Sequence, residues 1–150
     1  AACGAKQRGG LVVGISPDRF EDVAWAIMTT DLVPKTASTS LDLSGGTIRI
    51  AGMTKGSGMI HPNMATTLGY VMSDVDLAPE VLQAMLQRVI DRSYNRLTVD
   101  GDTSTNDTVI LLANAASGVK PKKSEMAQFE AALLQVVQSL AAQIARDGEG

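Results

Sequence analysis

The sequence has one cysteine, Cys3, and one histidine, His61. An internal disulfide is thereby excluded, and no Cys/His pair has the spacing of a zinc site, so no metal is expected. Such cysteine usage fits a reducing, cytoplasmic setting. No apolar stretch approaches the roughly 20 residues needed to cross a bilayer, and the first residues lack the hydrophobic region of a signal peptide. Basic charge is also in short supply: 13 Lys and Arg against 16 Asp and Glu leave a formal charge of −3. Nucleic acids and anionic membranes both require a basic face, so neither is expected as a partner. Internal repeats, low-complexity tracts and runs of like charge are absent, and Lys120, Lys122 and Lys123 flank a proline as a solvated turn.

What remains is a globular composition, with 45% hydrophobic and 19% charged residues in a chain of 150. That length suits one domain, which can bury roughly 70% of its unfolded surface. The chain opens at Ala1 without a methionine and stops at Gly150 just after a helix ends, so both ends read as cut from something longer.

Ser16-Pro17-Asp18 combines a capping serine, a proline at the first helical position and an early acid. It predicts a helix from about Pro17 to Thr29 with Phe20, Val23, Ala24 and Ile27 inward. Asp31 to Lys35 reads as a loop. Ser40–Leu43 and Thr47–Ala51 alternate around Ser44-Gly45-Gly46 as a β-hairpin. A strand is predicted from Thr66 to Met72, with Gly69 marking a close backbone approach. Pro79 opens a second helix with Leu82, Met85, Leu86, Val89 and Ile90 at helical spacing. Leu97–Val99 and Thr108–Leu112 are two more strand-like runs. A third helix spans about Ser124 to Arg146, with Met126, Phe129, Leu133, Val136, Val137, Leu140 and Ile144 as its stripe and Gly148 beyond its end. This order predicts an α+β layered architecture in one domain.

Several motifs admit bland readings. Lys55-Gly56-Ser57-Gly58 bears a superficial likeness to a phosphate loop, but there the lysine follows the glycines and opens a helix. Asp100, Asp102 and Ser104 have calcium-loop spacing, yet Thr105 stands where glycine is required and Leu111 where the bidentate acid belongs. That turn reads instead as a hydrogen-bond network beneath a site. His61, before a proline, reads as a loop residue rather than a general base. Trp25 and the methionines read as packing residues. Ala65-Thr66 by itself signals only β propensity.

Its surroundings carry more. Lys55-Gly56-Ser57-Gly58-Met59-Ile60-His61-Pro62-Asn63-Met64-Ala65-Thr66-Thr67-Leu68 closely resembles the self-cleavage segment of the ornithine acetyltransferase family. Ala26-Ile27-Met28-Thr29-Thr30-Asp31 with Pro34-Lys35 resembles a second block of that family, and Asn95 through Thr108 a third. Asp147-Gly148-Glu149-Gly150 resembles the start of a fourth. The blocks stand in the family's order and cover nearly the whole chain after about residue 10.

The resemblance implies an α+β layered sandwich of the N-terminal-nucleophile type, present here in part. It implies self-cleavage between Ala65 and Thr66 in a catalytic domain that includes residues 1–150. Thr66 is then the catalytic nucleophile, moving acetyl from N-acetylornithine to glutamate through an acetyl-threonine in arginine biosynthesis. Lys55, Thr66 and Glu149 are the implied substrate-binding residues. The reaction calls for no cofactor, although acetyl-CoA is a possible donor. The partners implied are amino-acid substrates, the remainder of the same precursor, and a hetero-oligomer of the two cleaved chains. Physical chemistry agrees: a hydroxyl needs a base, and a free α-amine, titrating near 7.7–8.0, can serve where a peptide nitrogen cannot. Thr67 stands where the family usually has methionine, and residues 1 to 15 contain no match to its oxyanion-hole Thr-Gly pair. Its C-terminal substrate-binding asparagine would lie beyond Gly150. Two alternatives keep other readings open: an N-terminal-nucleophile amidohydrolase or aminopeptidase passing the acyl group to water, and an uncleaved, non-catalytic fragment.

Overall fold

The computed structural model describes residues 17–57, 67–98 and 107–148. A 3-10 turn, Pro17–Arg19, runs into helix α1, Phe20–Ala26. Strands β1, Lys35–Leu43, and β2, Gly46–Lys55, follow, and then β3, Leu68–Ser73. Helix α2, Pro79–Asp91, leads through a 3-10 turn, Tyr94–Arg96, towards β4, Thr108–Ala113, and helix α3, Met126–Arg146, comes last.

The strands form one sheet in the order β1-β2-β3-β4. The β1–β2 and β2–β3 pairs are antiparallel; β3 and β4 are parallel, joined by the crossover that contains α2. The hairpin is therefore present, with Leu43 opposite Gly46 and strands longer than their alternation alone suggested. Gly46 has a φ of +133°, which favours glycine at the strand's first position. Glu125, before α3, accepts the Ser44 N–H at 2.8 Å and so ties the hairpin turn to that helix.

Both long helices cover one face of the sheet. Ile48, Ile50 and Val71 on that face join all five expected α2 residues and Phe129, Leu133, Val136, Val137, Leu140 and Ile144 of α3 in a single core. Alternation sends Ser38, Ser40, Arg49, Ile110 and Leu112 to the opposite, exposed face. Helix α3 passes close over Gly52: a Cβ there would meet Leu140 Cδ1 at 2.9 Å and the Tyr70 carbonyl oxygen at 3.2 Å.

Five expectations need correcting. The first helix stops at Ala26 rather than Thr29, and of its supposed inner face only Ala24 is fully buried, Val23 being 45% exposed. Trp25 is 58% exposed and is not a packing residue. Leu97 and Thr98 are not strand, because the chain leaves α2 through the 3-10 turn anchored by buried Tyr94. The close approach expected at Gly69 belongs to Gly52; at Gly69 the nearest contacts, Val109 Cγ2 at 3.4 Å and Tyr94 Oη at 3.5 Å, are ordinary. Lys35, expected in a loop, opens β1; the Ser16 cap and the expected strand start at Thr66 lie outside the described residues, and the other helices and strands fall where the sequence placed them.

Candidate active site

Lys55 is the last residue of β2, opposite Leu68, which in turn lies opposite Thr108. The row Lys55, Leu68, Thr108 thus marks one end of the sheet, where β2 stops and β3 and β4 begin. Gly56 follows with a φ of +148°, a conformation that glycine adopts readily and that turns the chain out of the strand.

Against this end lies the segment 29–31, residue for residue. Lys55 Nζ donates to Thr29 Oγ1 at 3.3 Å, the hydroxyls of Thr30 and Ser57 are 2.7 Å apart, and Gly56 N–H donates to Asp31 Oδ1 at 2.6 Å. Asp31 Oδ2 also accepts the Thr29 N–H at 3.2 Å. Two blocks 26 residues apart in sequence (Thr29 to Lys55) are therefore zipped together by three successive contacts.

Lys35 lies beneath them. Its side chain is fully buried, donating to Asp31 Oδ1 at 2.6 Å, to the Val33 carbonyl at 3.3 Å, and to Asp147 Oδ2. Asp147 Oδ2 also accepts the Leu32 N–H at 3.1 Å. Removing an ammonium and two carboxylates from water is costly unless each is paired, and here each is. Burial alone pushes the Asp31 carboxyl up; the Gly56 N–H, the Lys35 ammonium and the Thr29 N–H outweigh it and hold the group below its ordinary value. Asp147, just past α3, brings the fourth block to the same end of the sheet.

The third block arrives through β4. Asp107 Oδ1 accepts the Thr67 N–H at 2.5 Å, and the Thr108 N–H donates to the Thr67 carbonyl at 2.9 Å. Buried Thr67 is thus gripped at both backbone groups by consecutive residues. Burial pushes the Asp107 carboxyl up, and the Thr67 N–H and the charge on Lys55 only partly offset it.

Of the expected site residues, Lys55 is thus placed among partners. Thr66, Ala65, Glu149 and His61 lie outside the described residues, as does most of the polar turn after Asp100. Sequence reasoning assigned no role to Thr29, Asp31, Lys35 or Asp147, while Asp107 belongs to the polar turn read as a hydrogen-bond network. Lys35 opens a strand rich in Thr and Ser, KTASTSLDL, and nothing in that pattern marks a buried cation. Among the described residues, no group of three or more His, Cys, Asp and Glu side chains is placed to hold a metal ion, and no helix is long and apolar enough to cross a membrane.

Fold and site together describe an α+β protein in which four separated sequence blocks converge on the end of one sheet, around half-buried Lys55 and fully buried Lys35. The chain belongs to the ArgJ family, whose model matches residues 5–150. It is 48% identical over 140 residues to the arginine biosynthesis bifunctional protein ArgJ of Nitratidesulfovibrio vulgaris, covering 93% of this chain and 36% of that one. It is 50% identical over 139 residues to the protein of the same name from Symbiobacterium thermophilum, covering 91% and 35%. With the mitochondrial ArgJ of Pyricularia oryzae it shares 51% identity over 145 residues, covering 92% and 31%. A crystal structure of the Bacillus halodurans protein argJ matches with 40% identity and a TM-score of 0.49, over 51% of this chain and 38% of the other. The chain spans about a third of the length of the curated relatives it matches.

Proposed function

We propose that the protein is an acetyltransferase of arginine biosynthesis that moves acetyl from N-acetylornithine to glutamate through a self-generated N-terminal threonine, Thr66. One observation carries this reading. The family blocks that the sequence scatters along the chain meet at one end of the sheet. There Lys55 Nζ stands beside Thr29 Oγ1, and the Thr67 nitrogen, bonded to Thr66, is held by Asp107.

In this reading the Thr66 hydroxyl first attacks the Ala65 carbonyl and takes over the acyl group from its own nitrogen. Water then hydrolyses the ester, leaving the Ala65 carboxylate and the free Thr66 amine. That amine accepts the hydroxyl proton as Oγ attacks the acetyl carbonyl of N-acetylornithine, and ornithine leaves with the proton. Glutamate's amine takes the acetyl group in the second half-reaction. Lys55 offers its ammonium to a substrate carboxylate, and Glu149 a carboxylate to a substrate ammonium. The reading includes a layered N-terminal-nucleophile sandwich, two cleaved chains that stay together, a cytoplasmic setting, no resident cofactor, and acetyl-CoA as a possible further donor.

Thr66→Ala tests it in the protein at its full encoded length. The wild type should run as two fragments on a denaturing gel and the variant as one unbroken band without transferase activity. Two fragments from the variant would refute the assignment.

A further inference from the structure

We propose that Asp31 is a positioning residue for Lys55: its one carboxylate holds both the backbone that carries Lys55 and the residue its ammonium meets, and so sets the affinity for a substrate carboxylate. The inference rests on the proposed function, and it concerns a residue to which the reaction scheme gives no part.

The geometry is a closed ring among described residues. Asp31 Oδ1 takes the Gly56 N–H at 2.6 Å, and that nitrogen is bonded to Lys55. Asp31 Oδ2 takes the Thr29 N–H at 3.2 Å, and Thr29 Oγ1 takes the Lys55 ammonium at 3.3 Å. A lysine side chain has four rotatable methylenes and is a poor positioning device unless something restricts its root and tip. Here the root is restricted by Gly56 and the tip by Thr29, and both restraints pass through Asp31. The Thr30–Ser57 hydroxyl pair at 2.7 Å closes the same seam. Lys35 supplies the counter-charge that lets a carboxylate stand there while buried, with Asp147 completing the cluster.

Asn at position 31 keeps an oxygen for Gly56 but turns an NH2 towards the Thr29 N–H, which then meets a donor instead of an acceptor. Lys35 and Asp147 remain as a neutral pair. The substitution therefore opens the ring at one joint while preserving volume, and it takes the buried cluster from one excess negative charge to neutrality.

The test uses the protein at its full encoded length and measures acetyl transfer to glutamate for wild type, Lys55→Ala and Asp31→Asn. Donors are N-acetylornithine and its decarboxylated analogue. For Asp31→Asn, KM for N-acetylornithine should rise about tenfold, as expected when uniform binding is lost. Its kcat and self-cleavage should stay near wild type, and KM for the analogue should not change. Lys55→Ala should show the same selective loss, only larger. An equal rise in KM for both donors in Asp31→Asn would overturn the inference, because a merely structural role cannot distinguish them. An unchanged KM in Asp31→Asn beside a raised one in Lys55→Ala would overturn it too. Unchanged KM in Lys55→Ala would instead remove the binding role given to Lys55. Should Asp31→Asn not fold, Asp31→Glu carries the same test, since it keeps the charge beside Lys35 but displaces the carboxylate by one methylene.

Discussion

Lys35 shows how much a single buried charge commits a fold to one arrangement. It lies 112 residues before Asp147, yet its ammonium touches that carboxylate and Asp31 at once. Removing the cation strands two carboxylates, so Lys35→Met should cost on the order of 3–5 kcal/mol, the usual loss on breaking a buried pair; chemical denaturation measures it, and a loss below about 1 kcal/mol would refute the pairing. The pH dependence has a definite sign. Asp31 titrates below its ordinary value when folded, facing Lys35 and Asp147. Its contribution is therefore complete above the unfolded value near 4 and is lost as pH falls through the folded one. The stability gap between wild type and Asp31→Asn should accordingly be flat near neutrality and shrink only below about pH 4. None of this was legible residue by residue. Asp31 and Lys35 were read as loop, because a charge between a helix and a hairpin ordinarily faces water, and nothing local reveals a partner at residue 147.

Elements were legible where one face is buried along their whole length. Helix α3 carries a continuous stripe, and every residue predicted for it from Phe129 to Ile144 is buried. The α2 stripe is equally complete. Short segments fared worse for a physical reason. Helix α1 spans only seven residues and buries one, so its amphipathic pattern specifies little. Leu97 follows a 3-10 turn whose course is set by buried Tyr94, and strand propensity does not override that anchor. Glycines likewise have to be judged by what crosses them. Gly52 lies under α3, and Gly52→Ala should destabilise by about 1–3 kcal/mol, since the Tyr70 carbonyl cannot step aside as the Leu140 methyl can. Thermal melts check this, with unchanged stability as the contrary outcome.

At the scale of the molecule, topology does what no motif could. Antiparallel β1–β2–β3 and the parallel return of β4 bring residues 29–31, 55–57, 67 and 107 to one end of a single sheet. The C-terminus of α3 adds Asp147 to that end. The sequence held the blocks and their order but not their convergence, which depends on the register of three strand pairs. The reaction proposed for this site leaves a mark on one atom, and intact-mass measurement reads it directly. The full-length protein is mixed with N-acetylornithine in the absence of glutamate, quenched, and its fragments weighed. The fragment beginning at Thr66 should gain the mass of one acetyl group and lose it again when glutamate is added. An unbroken chain, or an acetyl group retained elsewhere while Thr66 stays unmodified, would contradict the assignment of Thr66 as the acyl carrier.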